Sequence, residues 1–346
     1  MESISGNDAK NHPNVQESES NSGKADYDVV GIGSPLLDFT IEVDKAVLDE
    51  IGLKRGQMHL VDENRSMQIL QRLNGYPMKT TPGGSSANTL AGIANFGGRC
   101  ILFGKVGNDT HGELYIRENE KAGVRTRLNK HEAMTGHAIT LITPDSERTF
   151  ATHLGAAIHF VKEDVFEDDI KGSKILHIEG YLLELPEVRE AVVHAMRIAK
   201  ENNVIISIDL GDASLVDRIK DVFNSIVDEF ADIVFVNEDE AKAFTGVEEK
   251  EALDMIYSMC DIAVVKLGAD GSMIKRDNKI YNISANRVGV VNTNGAGDMY
   301  AAGILYGVAN DLPIDRAGRI ASYASSLVVS QVSARLNNKV NIDQIE

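Results

Sequence analysis

Short apolar runs alternate with amphipathic segments along most of the chain. Five of these runs end in glycine or a polar residue and indicate strands: YDVVGIG (27–33), KILHIEGY (174–181), VIISIDLG (204–211), ADIVFVN (231–237) and IAVVKLG (262–268). Within residues 186–203, one helical face is apolar, at Val188, Val192, Ala195, Met196 and Ala199. Strands that alternate with helices predict an α/β fold whose mostly parallel sheet is covered on both faces. Ligands of such sheets bind where the strands end.

Two stretches depart from this rhythm. They are residues 38–64 and residues 137–157, and the second alternates polar and apolar positions with much Thr and Ile. We expect antiparallel strands that pair as a small second sheet, a lid near 38–64 and 131–155. Residues 1–26 are mostly Ser, Asn, Glu and Gly and predict a disordered polar tail, which leaves 27–346 as one domain.

Composition excludes several classes of function. The 346 residues carry a formal net charge of −17, which argues against binding to nucleic acid or to anionic membranes. The two cysteines, Cys100 and Cys260, have no Cys/His cluster around them, so a zinc site is not expected. The N-terminus is polar and no apolar run reaches the ~18 residues of a membrane span, so a cytoplasmic location is expected.

Two common nucleotide motifs are absent from the sequence. GIGSPLLD follows the first strand, but Leu36 stands where a dinucleotide fingerprint needs its third glycine. The pattern GxxxxGK[ST] of a P-loop does not occur either.

The segment VVNTNGAGDMYAAGILYGVAN (290–310) carries the strongest candidate chemistry. A β-branched run leads through Gly295, Ala296 and Gly297 to Asp298 and a helix of small residues. Such a turn directs backbone N–H groups and the positive end of a helix at one point, which suits an anion. An anion cradle beside a carboxylate suits phosphoryl transfer to an alcohol. The alternative is a glycine-rich turn with Asp298 as an ordinary first-turn residue.

Three further segments combine glycine turns with polar side chains. In TPGGSSAN (81–88), Gly83 and Gly84 allow a ligand close to the backbone and Asn88 can bond a hydroxyl, or the segment is simply a tight turn before a helix. Asn237 and Glu240 have the spacing of a capping box, or Glu240 holds water around Mg²⁺. KLGADG (266–271), with Gly268 and Gly271, serves nucleotide phosphates or is a plain turn.

These segments together resemble the PfkB (ribokinase-like) family of sugar and nucleoside kinases. GGSSAN (83–88) is similar to the family's first signature, NTNGAGD (292–298) to its second, and NEDE (237–240) to its NxxE motif. The resemblance runs through residues 27–340. It implies a ribokinase-like three-layer α/β/α core with a mostly parallel central sheet, a small β-sheet lid, and ATP-dependent phosphorylation with Mg²⁺.

Within that family the chain is most similar to the adenosine kinases, through GSPLLDFT (33–40), RGQMHLVDE (55–63), ERTFATHLGAA (147–157) and IEGYLL (178–183). This resemblance implies that Asp38 holds the ribose hydroxyls. It also implies three groups of acceptor-site residues: Ser34, Gly83, Gly84 and Asn88 around the sugar, Gln57 and Tyr181 around the base, and Arg148 near the transferred phosphate.

The resemblance further implies a reaction. Asp298 would accept the proton of the 5′-hydroxyl of adenosine, and the N–H groups of Gly295, Ala296 and Gly297 would stabilise the transferring phosphoryl. The nucleotide-binding residues would be Asn237, Gly268, Gly271, Thr293 and Asn294, with Glu240 holding Mg²⁺ through water. The products would be AMP and ADP, as in purine salvage, made by a monomer or homodimer.

Two positions depart from the family's pattern. Asn292 stands where the second signature usually has Asp, which leaves activation by a monovalent cation open. Ser34 stands where the adenosine kinase opening usually has Asn, which leaves other acceptors open: ribose, fructose, inosine or guanosine. A non-catalytic nucleoside-binding relative is a further alternative, against which the intact Gly295–Asp298 turn argues.

Overall fold

The computed structural model describes residues 25–145 and 147–345. Residues 1–24 of the predicted tail therefore lie outside the described residues. The described strands are β1 (Tyr27–Ile32), β2 (Leu36–Glu42), β3 (Met58–Leu60), β4 (Met78–Pro82), β5 (Cys100–Gly107), β6 (Val124–His131), β7 (Gly136–Ile142), β8 (Arg148–His153), β9 (Ser173–Glu179), β10 (Ile205–Asp209), β11 (Ile233–Asn237), β12 (Ile262–Lys266), β13 (Ser272–Arg276) and β14 (Lys279–Ile283).

The described α-helices are α1 (Lys45–Ile51), α2 (Glu63–Arg72), α3 (Ser85–Asn95), α4 (Thr110–Lys121), α5 (Glu167–Lys171), α6 (Pro186–Glu201), α7 (Ala213–Phe230), α8 (Glu238–Thr245), α9 (Glu249–Tyr257), α10 (Ala296–Ala309) and α11 (Ile314–Val329). None of these helices is both long and apolar enough to cross a membrane.

A nine-stranded sheet forms the centre of the fold, in the order β14-β13-β12-β11-β10-β9-β1-β5-β6. The seven strands from β12 to β6 run parallel, and β13 and β14 join antiparallel at one edge. The five apolar runs predicted as strands lie side by side as β1, β9, β10, β11 and β12. Because all five run parallel, their carboxyl ends meet at one edge of the sheet.

Helices cover both faces of this sheet, because successive strand residues point to opposite sides. Val29 and Leu102 belong to a core that includes α3, α10 and α11. Val30 and Ile101 belong to a second core that includes α6, α7, α8 and α9. The predicted apolar stripe of α6 is buried. The predicted fold, a three-layer α/β/α core with a mostly parallel sheet and a second small sheet, is confirmed.

The small sheet has five strands in the order β3-β8-β7-β2-β4. Its pairing is mixed: β2 with β7 and β3 with β8 are parallel, while β2 with β4 and β7 with β8 are antiparallel. The sequence predicted antiparallel strands only, and it missed β4. No side chain of β4 is fully buried, so this strand leaves no apolar pattern to read.

Glycines bring α3 and α10 into close contact, which fixes the geometry of the site at their N-termini. A Cβ on Gly92 of α3 would lie 2.7 Å from Cβ of Ala302 in α10. On the other side of α10, a Cβ on Gly303 would lie 2.4 Å from Cα of Ala321 in α11. Such distances require glycine, since real side chains do not approach so closely.

Candidate active site

Two glycine turns, far apart in sequence, meet at Asp298. Asp298 lies in the first turn of α10, and its Oδ1 accepts a hydrogen bond from Ser85 Oγ (2.7 Å). Its Oδ2 accepts one from Asn88 Nδ2 (2.9 Å). Ser85 and Asn88 lie at the start of α3, so the two segments that the sequence analysis singled out separately form one site. Burial raises the pKa of Asp298 to about 6.

Glycine is required at both turns. Gly295 precedes α10 with φ +79°, and a Cβ there would lie 2.4 Å from the carbonyl oxygen of Ala334. Gly84 precedes α3 with φ +89°, and a Cβ there would lie 2.5 Å from the carbonyl oxygen of Ser34. Positive φ angles and these close approaches exclude larger residues. At the start of α10, Ala296 N donates to the carbonyl oxygen of Thr293 (3.2 Å), so this N–H, which was predicted to face the phosphoryl group, has a partner within the turn.

Asp38 lies beside Gly83 on the small sheet. A Cβ on Gly83 would come within 2.6 Å of Asp38 Oδ2, so this glycine leaves the room that the carboxyl group fills. Burial raises the pKa of Asp38 to about 6, although the positive charge of Arg335 opposes the shift. A cavity of about 60 Å³ adjoins Asp38, and its lining residues are Asp38, Thr40, Lys79, Thr81, Thr140, Ile142, Arg148, Asn292, Asn294, Val332, Ser333 and Ala334.

Ser34 is held by a carboxylate that the sequence analysis did not single out. Glu179 ends β9, where its Oε1 accepts from Ser34 N (2.7 Å) and its Oε2 from Ser86 N (2.9 Å). Burial raises the pKa of Glu179 to about 7. Glu179 thus ties the loop after β1 to the start of α3. A glutamate at the end of a largely apolar predicted strand, KILHIEGY, is a signal that could have revealed it.

A cleft of about 960 Å³ opens on the other side of the Gly295–Asp298 turn. It unites most of the residues predicted to bind the nucleotide, together with the turn itself: Asn237, Glu240, Gly268, Gly271, Thr293, Ala296, Gly297 and Asp298. Asn294 was predicted with this group, but it lines the small cavity instead, and its N–H donates to Asn292 Oδ1 (3.0 Å). Asn292 and Asn294, just before the turn, line the cavity, whereas Thr293 and the turn line the cleft, so the segment 292–298 borders both spaces.

Asn237 and Glu240 form the capping box that the sequence left as an alternative. Glu240 N donates to Asn237 Oδ1 (2.9 Å), and Asn237 N donates to Glu240 Oε2 (2.8 Å). Burial raises the pKa of Glu240 to about 7. The described residues contain no cluster of three or more His, Cys, Asp or Glu that could hold a metal directly. This donor set suits a cation that arrives with phosphates and keeps its water.

The remaining residues predicted to bind the acceptor do not lie together in the structure. Arg148 begins β8, lines the small cavity and hydrogen-bonds Asn292 Oδ1. Tyr181 lines the large cleft rather than the small cavity, and its hydroxyl donates to the carbonyl oxygen of Gly211 (3.0 Å). Gln57 is exposed and lines neither space. The described structure therefore does not bring Gln57 and Tyr181 together around Asp38.

Arg335 is a second residue that the sequence did not reveal. Its Nε donates to Asn88 Oδ1 (2.8 Å), which links it to the amide that also bonds Asp298. Its Nη1 and Nη2 are buried and have no hydrogen-bond partner within residues 25–145 and 147–345. The segment 331–341 has no periodic pattern, so nothing in the sequence marks this arginine as part of the site.

Comparison with known proteins gives the family. The model of the family described as pfkB family carbohydrate kinase matches residues 71–341. The 5-dehydro-2-deoxygluconokinase of Bacillus subtilis is 28% identical over 311 residues, which are 86% of this chain and 94% of that protein. The structure of adenosine kinase from Sinorhizobium meliloti is 32% identical with a TM-score of 0.83, covering 91% of this chain and 97% of that one.

A probable sugar kinase from Rhizobium etli is as similar: 31% identity, a TM-score of 0.84, and coverage of 91% of this chain and 96% of that chain. The sequence prediction of the family and of a phosphotransferase is thereby confirmed. The two turns around Asp298 fall within the residues that the family model matches. The chain belongs to the PfkB family of carbohydrate kinases.

Proposed function

We propose that this chain transfers the γ-phosphoryl group of ATP to the 5′-hydroxyl of adenosine. The observation that carries the transfer is the position of Asp298, which lines the 960 Å³ cleft and whose carboxylate accepts hydrogen bonds from Ser85 and Asn88 at the start of α3. ATP would lie in the cleft and the acceptor on the side of Asp38. The 32% identity to an adenosine kinase over 91% of the chain supports adenosine as the acceptor.

In this reaction the acceptor oxygen forms a bond to the γ-phosphorus and the bond from that phosphorus to the β-γ bridging oxygen breaks. Asp298 accepts the hydroxyl proton, while ADP leaves with the bridging electrons. The N–H groups at the start of α10 stabilise the charge of the transferring group. Ser85 and Asn88 hold the Asp298 carboxylate toward the acceptor. Glu240 would hold Mg²⁺ through water, and that ion would offset phosphate charge.

A second candidate acceptor is a sugar acid. The unpartnered Nη1 and Nη2 of Arg335, beside Asn88, favour it because a guanidinium binds a carboxylate in a bidentate way. The small size of the polar cavity at Asp38, about 60 Å³, also suits a compact acceptor. A relative of this chain is named for such an acceptor, 5-dehydro-2-deoxygluconate.

The test is a panel of acceptors, with ADP release measured in a coupled assay and the phosphorylated product identified by ³¹P NMR. The panel holds adenosine, inosine, ribose, fructose and 5-dehydro-2-deoxygluconate. We expect the highest kcat/KM for adenosine. A preference for the sugar acid that disappears in Arg335→Met would replace the first proposal by the second. If no acceptor in the panel raises ADP release above the level seen with the Asp298→Asn variant, both proposals are contradicted.

A further inference from the structure

The side chain of Asn292 joins three segments of the chain just before the Gly295–Asp298 turn. Its Oδ1 accepts hydrogen bonds from Asn294 N (3.0 Å) and from the guanidinium of Arg148. Its Nδ2 donates to the carbonyl oxygen of Val332 (2.8 Å). Asn292 is only 7% exposed. One buried amide therefore links the turn, strand β8 of the small sheet and the segment that follows α11.

The partners determine which way this amide points. Asn294 N and the Arg148 guanidinium can only donate, so an oxygen must face them. The carbonyl oxygen of Val332 can only accept, so the atom that faces it must be the NH₂ nitrogen. A carboxylate at position 292 would satisfy the first two partners. It would also bring a second oxygen up to the carbonyl oxygen of Val332 with no proton between them.

A second amide serves the same segment. Gln331 Nε2 donates to the carbonyl oxygens of Ser333 (3.3 Å) and Arg335 (2.6 Å). Gln331 is itself held by Asn337, whose Nδ2 donates to Gln331 Oε1 (2.7 Å). Three carbonyl oxygens of the segment, those of Val332, Ser333 and Arg335, therefore accept from side-chain amides.

These contacts bear on the monovalent cation that the family resemblance leaves open. A cation such as K⁺ binds oxygen atoms, including those of backbone carbonyls. Here the carbonyl oxygen of Val332 already accepts from Asn292, and the NH₂ group of that amide repels a cation. The residues present therefore do not fit a cation between Asn292 and the segment after α11. The amide makes the link between them directly.

The same segment also reaches the active site. A Cβ on Gly295 would lie 2.4 Å from the carbonyl oxygen of Ala334, so the turn packs closely on this segment. Arg335 Nε donates to Asn88 Oδ1 (2.8 Å), and Asn88 Nδ2 donates in turn to Asp298 (2.9 Å). The amide link therefore helps to fix the turn and Asn88 around the Asp298 carboxylate.

We propose that the Asn292 amide takes the place of a monovalent cation in this chain, so that phosphoryl transfer proceeds without one. Asn292 is then a positioning residue, which holds the Gly295–Asp298 turn against the segment after α11. This inference rests on the proposed function, because it assumes that the turn serves phosphoryl transfer. It also implies that Asn292→Asp creates a cation site, formed by the carboxylate and the carbonyl oxygen of Val332.

The kinetic test compares K⁺ with the bulky tetramethylammonium ion at equal ionic strength and at pH 8, where a carboxylate at position 292 is ionised. With ATP, Mg²⁺ and the best acceptor of the panel, wild type should have the same kcat in both salts, within about two-fold. In tetramethylammonium, kcat of Asn292→Asp should fall by roughly 5- to 150-fold, the range for a buried acceptor without a donor, and K⁺ should restore it.

Two kinetic results would overturn the proposal. One is a wild type whose kcat depends on K⁺, and the other is an Asn292→Asp variant whose kcat does not. If the variant does not fold, the wild-type comparison alone decides.

Melting temperatures measured without substrate separate this proposal from the proposed function. The melting temperature of Asn292→Asp should rise with K⁺ and level off, whereas that of wild type should be the same in both salts. The matched control is Asn119→Asp in α4, because Asn119 is also buried and its Nδ2 donates to the carbonyl oxygen of Tyr115 (2.8 Å). This control should melt below wild type by the same amount in both salts.

An equal response to K⁺ in Asn119→Asp would reveal a general effect of salt and overturn the proposal. No response in folded Asn292→Asp would overturn it as well. A response in Asn292→Asp alone, in a protein whose wild type phosphorylates no acceptor, would contradict only the proposed function.

Discussion

The cleft and the small cavity, which both border the segment 292–298, are built in different ways. The cleft of about 960 Å³ is formed largely by loops that follow adjacent parallel strands, β10, β11 and β12, and by the start of α10. The cavity of about 60 Å³ draws its lining from four strands of the small sheet, from Asn292 and Asn294, and from residues 332–334. One space depends on local motifs, and the other on contacts between distant segments.

Two carboxyl groups, Asp298 at the cleft and Asp38 at the cavity, have similar pKa values but different partners. Burial raises the pKa of both Asp38 and Asp298 to about 6. Asp298 has two fixed hydrogen bonds from α3, so its free lone pairs point in a defined direction. Asp38 instead faces the buried charge of Arg335. Under the proposed function, Asp298 takes the proton and Asp38 recognises the acceptor, and substitutions at the two positions test this division of roles.

The largest expected effect is that of Asp298→Asn. The amide keeps the shape of the side chain but cannot accept the hydroxyl proton. We expect kcat to fall by about 10²–10⁴, the range for loss of a general base. KM values for both substrates, from steady-state kinetics, should stay within a few-fold of wild type. Wild-type turnover in this variant would show that another group takes the proton.

Asp38→Ala should act on binding instead of turnover. A hydrogen bond to a charged group contributes about 1.5–3 kcal/mol, so KM for adenosine should rise by roughly 10- to 150-fold while KM for ATP stays constant. The penalty for 2′-deoxyadenosine relative to adenosine should shrink in the variant, because the carboxylate no longer reads the 2′-hydroxyl. Equal penalties in both proteins would show that Asp38 does not contact that hydroxyl.

The comparison explains what could be predicted from sequence. The five strands predicted for the central sheet are mostly apolar and the turns around Asp298 are rich in glycine, so the fold, the two turns and the Asn237–Glu240 pair could be placed. The acceptor side depends on pairings between separate segments. A single polar strand such as β4, or one arginine such as Arg335 in an aperiodic segment, carries no local signal.

Tyr181 shows the same limit at one side chain. Its place at the end of the run KILHIEGY predicted a ligand-facing ring, and the ring, which follows β9 in the structure, does line a cavity, although it is the large cleft. The strand's end determines that Tyr181 reaches the functional edge of the sheet. Which of two spaces the ring enters depends on Gly211, against which it packs: a Cβ there would lie 2.9 Å from Tyr181 Cε2.

Tyr181→Ala tests this assignment. A ring in the cleft would contact the nucleotide, so we expect KM for ATP to rise by up to roughly 10-fold, at the low end of what base stacking contributes. KM for the acceptor should change less than KM for ATP. A larger rise in KM for the acceptor than in KM for ATP would place Tyr181 in the nucleoside pocket that the sequence predicted. Because Tyr181 is 41% exposed, the melting temperature should change little, and a large drop would make it a core residue.

The smallest effect concerns pH. Because the pKa of Asp298 is about 6, kcat should fall below pH 6, to roughly one tenth at pH 5 of its value at pH 8. The stability of the folded state changes with pH in the opposite direction. The folded state binds this proton more tightly than the unfolded chain, in which the pKa of Asp298 is near 3.8. The contribution of Asp298 to stability therefore falls as pH rises from about 4 to about 6.

Asp298→Asn isolates that second effect, because other carboxyl groups titrate in the same range. Burial also raises the pKa values of Asp38, Glu179 and Glu240, to about 6 or 7, so these groups favour the folded state at lower pH and add to the trend. The variant has no charge to bury at position 298. Its melting temperature relative to wild type should therefore be higher at pH 7.5 than at pH 5, measured by scanning calorimetry. A difference that is independent of pH would mean that Asp298 is already ionised at pH 5, and the acid limb of kcat would then belong to another group.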